Sequence, residues 1–398
     1  MKQLSKSVYY TGTLNPNMRV FDVIMRTEYG TSYNSYIIKG ASQTALIETS
    51  HASFWDTFKE DIDSVLNGRG IDFLILNHTE PDHSGCVARL LQEYPNLTIV
   101  CSQPAALYLK NITNIENLKI QIVRDGDTLC LGDKTLRFIN APFLHWPDSM
   151  FTWLEEDNFL FSCDFLGCHF CEPEVFDTRI HYPEKYQDAL KYYYDCIFGP
   201  FPTFVQKGLE KIKDLPIRMI CPSHGPILTS REYIANAMWA YKTWSASKAN
   251  ERKLIPLFYC TAYGNTAKLA EAIRKGILRT LPNAEVNAYN LIEHTQDELA
   301  ALLNSSDAFL IGALTINRDA VPPIWQLLSH VDAINIAKRP AALFGSYGWS
   351  GEGFANTAER LKGLKCKLFD EQFKVNFVPS EADLAAAEQF GAEFAKSL

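Results

Sequence analysis

Four side chains of the types that bind metal ions lie within six residues, in the segment His78, Thr79, Glu80, Pro81, Asp82 and His83. They directly follow an apolar run over residues 71–77, which predicts a buried strand. A helix is predicted next, because apolar residues recur at the spacing of one helix face at Val87, Leu90, Leu91 and Tyr94. The potential ligands therefore lie in a strand-to-helix loop, at the sheet edge where open α/β folds place their sites.

Three further strand patterns are each followed by a side chain that can bind metal. These pairs are residues 136–140 with His145, residues 158–163 with Asp164, and residues 217–223 with His224. A lone histidine at such a place is usually a loop residue with a structural hydrogen bond. Because the feature recurs at four strand ends, we predict that these side chains meet at one metal centre.

The composition narrows the class of protein. The 398 residues carry 38 basic and 46 acidic side chains, and the net charge of -8 argues against a nucleic-acid-binding surface. No apolar segment approaches the roughly 20 residues that span a bilayer, and residues 1–12 lack the apolar core of a secretory signal. We expect a cytoplasmic protein that binds neither nucleic acid nor membrane. Its cysteines are expected to be thiols, including the C-x-x-C pair Cys168 and Cys171, which has no second pair.

The chain divides into two halves with different patterns. Up to about residue 246, short strand patterns alternate with turns, and this half carries seven of the nine histidines. From residue 254, strand and helix patterns alternate five times, which predicts a doubly wound parallel sheet. A polar stretch over residues 245–253 marks the boundary. We therefore predict two domains, at residues 1–250 and 251–398.

Three loops of the second half follow strand patterns and are candidate parts of one ligand site. The first joins a strand to a helix, where hydroxyl groups and backbone amides form a phosphate cradle, and it consists of Thr261, Ala262, Tyr263, Gly264, Asn265 and Thr266. It has no Gly-Lys-Ser/Thr sequence, which argues against a nucleoside triphosphate. The other two loops follow the third and fourth strands and flank the crevice of such a sheet. They consist of Thr315, Ile316, Asn317 and Arg318, and of Ser346, Tyr347, Gly348, Trp349, Ser350 and Gly351.

Both halves resemble known families at these residues. The order H-x-E-x-D-H, then His, Asp and His at strand ends, resembles the metallo-β-lactamase fold, an αββα sandwich with two metals at one edge. Zinc hydrolases of that fold have histidine where this chain has Glu80, and a carboxylate there favours iron over zinc. The T-x-Y-G-N-T loop is similar to the FMN phosphate loop of flavodoxins, and Trp349 or Tyr347 is placed to stack on the isoalloxazine ring. Together the two halves closely resemble the flavodiiron proteins, or A-type flavoproteins.

The resemblance implies two cofactors, FMN and a non-haem centre of two iron ions. It makes His78, Glu80 and His145 the ligands of one iron, Asp82, His83 and His224 the ligands of the other, and Asp164 the bridge between them. His169 and Tyr194 lie in segments that approach the diiron pocket in this family. Either could donate a hydrogen bond to bound substrate. Core packing is an equally good interpretation of both residues.

The resemblance also implies an oxidoreductase that reduces O2 to water, NO to N2O, or both, with electrons relayed through FMN. In this family a head-to-tail homodimer, or a dimer of dimers, places the FMN of one chain beside the diiron site of the other. A separate electron donor is implied, either a rubredoxin or a reduced deazaflavin. Two alternatives stay open, a zinc-dependent hydrolase of the metallo-β-lactamase fold and a diiron and FMN gas sensor. The sequence does not choose between O2 and NO.

Overall fold

The computed structural model describes residues 2–246 and 250–398. The chain divides between residues 247 and 248 into two compact units. The predicted boundary stretch, residues 245–253, lies partly outside the described residues. Within the described ranges, no helix is both long enough and apolar enough to cross a membrane.

The first unit contains many short strands and a set of helices. In chain order its strands are β1 (Lys2–Gln3), β2 (Val8–Tyr10), β3 (Thr13–Asn15), β4 (Val20–Phe21), β5 (Met25–Arg26), β6 (Thr31–Tyr33), β7 (Tyr36–Lys39), β8 (Thr44–Ile47), β9 (Phe73–Leu76), β10 (Thr98–Cys101), β11 (Ile120–Ile122), β12 (Thr128–Cys130), β13 (Thr135–Asn140), β14 (Met150–Leu154), β15 (Phe159–Cys163) and β16 (Met219–Pro222). Its helices are α1 (Trp55–Leu66), α2 (Pro81–Ser84), α3 (Val87–Glu93), α4 (Gln103–Thr113), α5 (Pro183–Tyr193), α6 (Pro202–Ile212) and α7 (Arg231–Trp244).

Two sheets of the first unit pack face to face. One has the order β1-β2-β7-β8-β9-β10-β11 and the other the order β12-β13-β14-β15-β16. Ile38 and Ile75 of the first sheet share one buried cluster with Phe138 and Phe161 of the second. Helices α1, α3 and α4 cover the outer face of the first sheet, and α5, α6 and α7 cover that of the second. The predicted αββα sandwich is confirmed.

The second unit is built on one parallel sheet. The strands of this unit are β17 (Leu257–Tyr259), β18 (Ala288–Asn290), β19 (Phe309–Gly312), β20 (Thr315–Ile316), β21 (Asp319–Ala320), β22 (Pro340–Tyr347) and β23 (Lys367–Asn376). Of these, β20 and β21 form a separate antiparallel pair. Its helices are α8 (Asn265–Thr280), α9 (Gln296–Ser305), α10 (Pro322–His330), α11 (Glu352–Gly363) and α12 (Glu381–Lys396). The sheet order is β18-β17-β19-β22-β23, and every neighbouring pair in it is parallel. This is the flavodoxin-like order 2-1-3-4-5, which confirms the predicted doubly wound sheet.

Helices cover both faces of this sheet. Helices α8 and α12 pack on one face, and α9, α10 and α11 on the other. The close approach of α8 to α12 depends on Gly276, because a Cβ atom there would lie 1.8 Å from the carbonyl oxygen of Glu388. The first loop of the predicted flavin site directly precedes α8.

Candidate metal centre and flavin site

The seven predicted metal ligands meet at one edge of the sandwich. Those from the first sheet follow β9, and those from the second follow β13, β15 and β16, so both sheets supply ligands. All seven are largely buried, and His145 has the most exposed side chain, at 13%. Sequence reasoning thus located a set of side chains that come together only in the folded protein.

Three of these side chains form what we call the first ligand group: His78, Glu80 and His145. Glu80 Oε2 lies 3.2 Å from His78 Nε2 and 3.1 Å from His145 Nε2. One potential ligand atom from each residue lies within 4.8 Å of the others. This is a compact set of two imidazoles and one carboxylate around a single point.

Asp82, His83 and His224 form the second ligand group. Asp82 Oδ2 lies 3.1 Å from His224 Nε2, and Asp82 Oδ1 lies 3.5 Å from His83 Nε2. Asp82 and His83 belong to the short helix α2, which begins at Pro81 directly after Glu80. The tight turn into α2 therefore separates the loop ligands into two sets.

Asp164 lies between the two groups. Its Oδ2 is 3.4 Å from His145 Nε2 and 3.9 Å from His78 Nε2, both of the first ligand group. Its Oδ1 is 3.2 Å from His83 Nε2 and 3.3 Å from His224 Nε2, both of the second. Each oxygen of one carboxylate thus faces a different ligand group, which is the arrangement that a bridging ligand requires.

Several buried polar atoms of the centre lie within 3.5 Å of other ligand atoms but make no hydrogen bond among the described residues. They are both carboxylate oxygens of Asp82, Oδ1 of Asp164 and Nε2 of His83. Leaving such atoms unpaired in the interior is costly unless they bind a metal ion. A donor set of imidazole and carboxylate groups without thiolate suits iron. The residues therefore fit a diiron centre.

Charges within the centre shift the pKa values of its members. Burial alone would raise the pKa of the Asp164 carboxyl, but the field of His83 and a hydrogen bond from His145 hold it well below its ordinary value. Burial would likewise lower the pKa of His83, yet Asp82 and Asp164 raise it well above its usual range. The carboxylates of the centre thus favour protonated imidazoles, and metal cations bound there would replace those protons.

Three ligand histidines are held from behind through Nδ1. His78 Nδ1 lies 3.1 Å from Asp148 Oδ1, His83 Nδ1 lies 3.4 Å from Glu48 Oε2, and His224 Nδ1 lies 2.7 Å from the carbonyl oxygen of Ser32. The hydrogen bonds to Asp148 and to the Ser32 carbonyl fix the tautomer that leaves Nε2 free for metal, whereas Glu48 Oε2 forms no hydrogen bond among the described residues and faces His83 as a nearby charge. The sequence analysis did not identify Asp148 or Glu48. For Asp148 a signal existed, because it lies only three residues after the predicted ligand His145.

His169 lies beside the second ligand group. Its ring centroid is 4.8 Å from that of His224, and its Nδ1 lies 2.8 Å from Thr31 Oγ1, while its buried Nε2 has no partner among the described residues. Burial lowers the pKa of His169 to about 3, so the imidazole is neutral. This position agrees with the expectation that His169 approaches the diiron pocket.

Tyr194 does not pack beside the ligands, and this corrects the expectation for it. Its ring lies 5.0 Å from the ring of Tyr241 and 5.1 Å from that of Trp244. The preceding residue, Tyr193, is the one beside His169, at 4.9 Å between ring centroids. Adjacent positions on a helix point about 100° apart, so an error of one residue moved the prediction to the wrong face.

A further carboxyl near the centre, Asp22, was also missed. It lies in the turn between β4 and β5, which form a short hairpin. Partial burial, and then the neighbouring carboxyl of Glu80, raise the pKa of Asp22 to about 6. The turn of the hairpin thus lies over the first ligand group. A two-residue strand on each side leaves no periodic pattern from which this could be foreseen.

In the second unit, a cavity of about 530 Å³ opens at the carboxyl edge of the parallel sheet, and we call it the flavin cavity. Of the predicted loop residues, those that line it are Thr261, Ala262, Tyr263, Asn265, Thr266, Thr315, Ile316, Asn317, Arg318, Ser346, Tyr347, Gly348 and Trp349. Gly264, Ser350 and Gly351 do not line it, and Gly264 and Gly351 instead precede α8 and α11. Leu314, Glu352 and Phe377 line it and were missed as contacts.

The flavin cavity has the chemistry of an FMN site. Gly264 has φ +78°, and nothing lies within 4 Å of a Cβ atom built there, so the backbone at the N-terminus of α8 is not covered by other residues at this point. The backbone amides and the positive end of that helix favour a phosphate. The rings of Tyr263 and Trp349 are 91% and 90% exposed at the cavity, which leaves their faces free to stack on an aromatic ligand.

Comparisons with known proteins agree with both sites. A model described as ODP family beta lactamase matches residues 31–225, and the flavodoxin model matches residues 257–391. The flavo-diiron protein FprA2 of Clostridium acetobutylicum is 48% identical over 397 residues, which cover 100% of this chain and 99% of that protein. The chain belongs to the flavodiiron proteins.

Other members of the flavodiiron family differ in what their names say they act on. An anaerobic nitric oxide reductase flavorubredoxin from Vibrio vulnificus is 32% identical over 93% of this chain and 75% of its own. The rubredoxin:oxygen oxidoreductase of Desulfovibrio gigas superposes with a TM-score of 0.72 at 25% identity, over 100% of this chain and 98% of that one. Flavodiiron proteins are oxidoreductases whose cofactors are FMN and a non-haem diiron centre, and this flavodiiron chain has residues that fit both.

Proposed function

We propose that this flavodiiron protein reduces O2 to water, NO to N2O, or both, at a diiron centre supplied with electrons by FMN. The observation that carries the proposal is the position of Asp164, with one oxygen toward each ligand group. Two irons held by a shared carboxylate leave positions between them for a small substrate. The names of the relatives include both an oxygen and a nitric oxide reductase, so both gases are tested.

The roles proposed for the side chains follow from their contacts. His78, Glu80 and His145 would hold one iron, Asp82, His83 and His224 would hold the other, and Asp164 would be shared between them. Asp148, Glu48 and the Ser32 carbonyl orient three of the imidazoles. When bound, the irons bind and activate the gas, and FMN takes electrons from a donor and passes them on singly. His169 and Tyr193 cover the second ligand group and keep bulk water from it.

We also propose the head-to-tail homodimer. At the hairpin over the first ligand group, Val23 and Ile24 are 91% and 85% exposed. Apolar side chains are similarly exposed around the flavin cavity, namely Tyr263, Trp349 and Phe377. Such exposed apolar groups mark interaction surfaces. In the proposed dimer the flavin-bearing face of one chain covers the hairpin of its partner, and a rubredoxin or another small protein donates electrons.

The dimer is tested by placing a charge on the hairpin. We expect Ile24→Asp to yield monomers by light scattering and to slow turnover, while iron and FMN contents per chain stay at the wild-type level. Leu107→Asp is the matched control, because Leu107 is an apolar residue 63% exposed on α4, outside the hairpin. A monomeric variant with full turnover would disprove the dimer as the working unit.

Gas reduction is tested on anaerobically purified protein loaded with iron and FMN. We expect repeated turnover of O2, NO or both with reduced rubredoxin, measured with gas electrodes and by N2O detection. Asp164→Asn should lose iron and turnover, whereas Asp133→Asn, the same change at an exposed residue, should lose neither. Zinc without iron together with esterase or thioesterase turnover would support a hydrolase instead. A single turnover per chain would support a sensor.

A further inference from the structure

A second cavity of the first unit, of about 260 Å³, lies between the β4–β5 hairpin and helix α5, and we call it the hairpin cavity. Its outer lining is charged and exposed, with Arg26, Glu28 and Asp188. Its inner lining is buried, with Met25, His169 and Tyr193. The cavity therefore runs from solvent toward the interior of the sandwich.

The inner end of the hairpin cavity lies one layer of rings away from the second ligand group. His169 and Tyr193 form that layer, with ring centroids 4.8 Å and 6.3 Å from the ring of His224. Phe21 completes it, at 4.5 Å from His169 and 6.1 Å from His224. No backbone element separates the rings of His169 and Tyr193 from that ligand, since their ring contacts with it are direct.

The ligand groups themselves are almost closed. The side chains of the second ligand group and of Asp164 are at most 5% exposed, and only His145 and Glu80, at 13% and 8%, reach the surface to any extent. Both of those residues belong to the first ligand group, which lies beneath the hairpin turn that bears Asp22. In the dimer proposed above, the flavin-bearing face of the partner covers that turn. Electrons and gas then need different approaches to the irons.

We propose that the gas substrate enters through the hairpin cavity and reaches the second ligand group between the rings of Phe21, His169 and Tyr193. The proposal rests on the proposed function. O2 and NO are small, uncharged and weakly polar, so they need no hydrogen-bond partners on the way. The rings of this layer meet at tilted or edge-to-face angles, and side-chain fluctuations that open gaps between them are fast compared with turnover. Met25 on the hairpin and Ala189 on α5 give the route apolar walls.

Filling the cavity tests the route kinetically. Ala189 is half-buried and lines the hairpin cavity, so Ala189→Phe places a ring in it. We expect kcat/KM for the gas to fall about tenfold while kcat at saturating gas, iron content and FMN content stay unchanged. Ala189→Ser is the matched control, because serine leaves the cavity open. An unchanged kcat/KM in an iron-replete Ala189→Phe protein overturns the proposal. An equal fall of kcat and kcat/KM overturns it too, because it points to proton or water transfer.

Xenon binding tests the route without any substitution. Crystals of the iron- and FMN-loaded wild-type protein are pressurised with xenon, which enters apolar cavities large enough to hold it. We expect xenon density in the hairpin cavity against Met25 and His169, and its absence there overturns the proposal. Loaded wild-type protein that turns over neither gas disproves the proposed function. Full turnover with an unaltered Ala189→Phe profile disproves only the route.

Discussion

Replacing Asp148 by asparagine tests how the protein holds the first iron. Asp148 is fully buried and accepts three hydrogen bonds, from His78 Nδ1 at 3.1 Å, from the Thr79 amide at 2.8 Å and from Thr79 Oγ1 at 2.7 Å. Asparagine has nearly the same shape but no charge, and its amide group puts a donor where one of the acceptor oxygens was. The change therefore weakens the support of one ligand without opening a hole.

The size of the effect follows from these contacts. A hydrogen bond to a charged group contributes about 1.5 to 3 kcal/mol and a neutral one about 0.5 to 1.5 kcal/mol, so His78 loses about 1 to 2 kcal/mol of support. Removing an outer partner of a metal-binding histidine costs about 10- to 100-fold in metal affinity, or about 1.4 to 2.7 kcal/mol. The two ranges overlap. We therefore expect iron affinity at the first ligand group to fall by about one to two orders of magnitude.

The assay is anaerobic titration of the iron-loaded protein with a ferrous chelator, followed by measurement of iron per chain. Wild-type protein should release its two irons over a narrow range of chelator concentration. Asp148→Asn should release one iron at about 10- to 100-fold less chelator and keep the other, whose histidines are held by Glu48 and Ser32. Asp133→Asn should behave as wild type. Loss of both irons together, or an unchanged curve, would refute this account of how the ligands are supported.

Three more substitutions and one metal removal give separate checks. Glu80→His should raise the ratio of bound zinc to bound iron when both metals are offered equally, because it exchanges a carboxylate for an imidazole. An unchanged ratio by elemental analysis would count against the role of Glu80 in selecting iron. Trp349→Ala should weaken FMN binding by about 2- to 10-fold in a fluorescence titration, as expected for one lost aromatic contact. Gly276→Ala should lower the free energy of unfolding of the second unit by about 1 to 3 kcal/mol in urea denaturation, since its Cβ would lie 1.8 Å from the Glu388 carbonyl oxygen. The control Gly363→Ala should not, because nothing lies within 4 Å of a Cβ atom there. Iron chelation should lower the melting temperature of the first unit alone in calorimetry, because only that unit loses a ligand.

The metal ligands were accessible to sequence reasoning because each follows a strand. The apolar run before His78 and the patterns before Asp164 and His224 end within one residue of the ends of β9, β15 and β16. A strand end is a fixed place on a sheet, so residues far apart in the chain are expected to meet there. The same logic located the loops of the flavin cavity, which follow strands of a fully parallel sheet.

The residues that support the ligands or line the sites from outside these strand ends were harder to predict from the sequence. Glu48 directly follows β8, but a lone carboxylate there does not show which ligand it faces, and Asp148 lies in an irregular loop three residues after His145 yet contacts His78. Tyr193 and Tyr194 differ only in the helix face on which they fall, at the point where α5 passes into a wider helical turn. Phe377 reaches the flavin cavity from the end of β23, the edge strand, which the three-loop prediction did not include.

The division of ligands between the two sheets ties iron capture to assembly of the sandwich. The first ligand group needs His145 from beyond β13, and the second needs His224 from beyond β16, while their other members follow β9. Neither sheet therefore offers a complete site by itself, so neither ligand group forms until both sheets have docked, and the second group also needs residue 224 to have been made. Iron binds only the assembled sandwich, so its binding free energy favours that state over the separated sheets. Iron binding would therefore stabilise the fold only after the two sheets have assembled. The supply of iron would then limit the fraction of newly made chain that is stabilised.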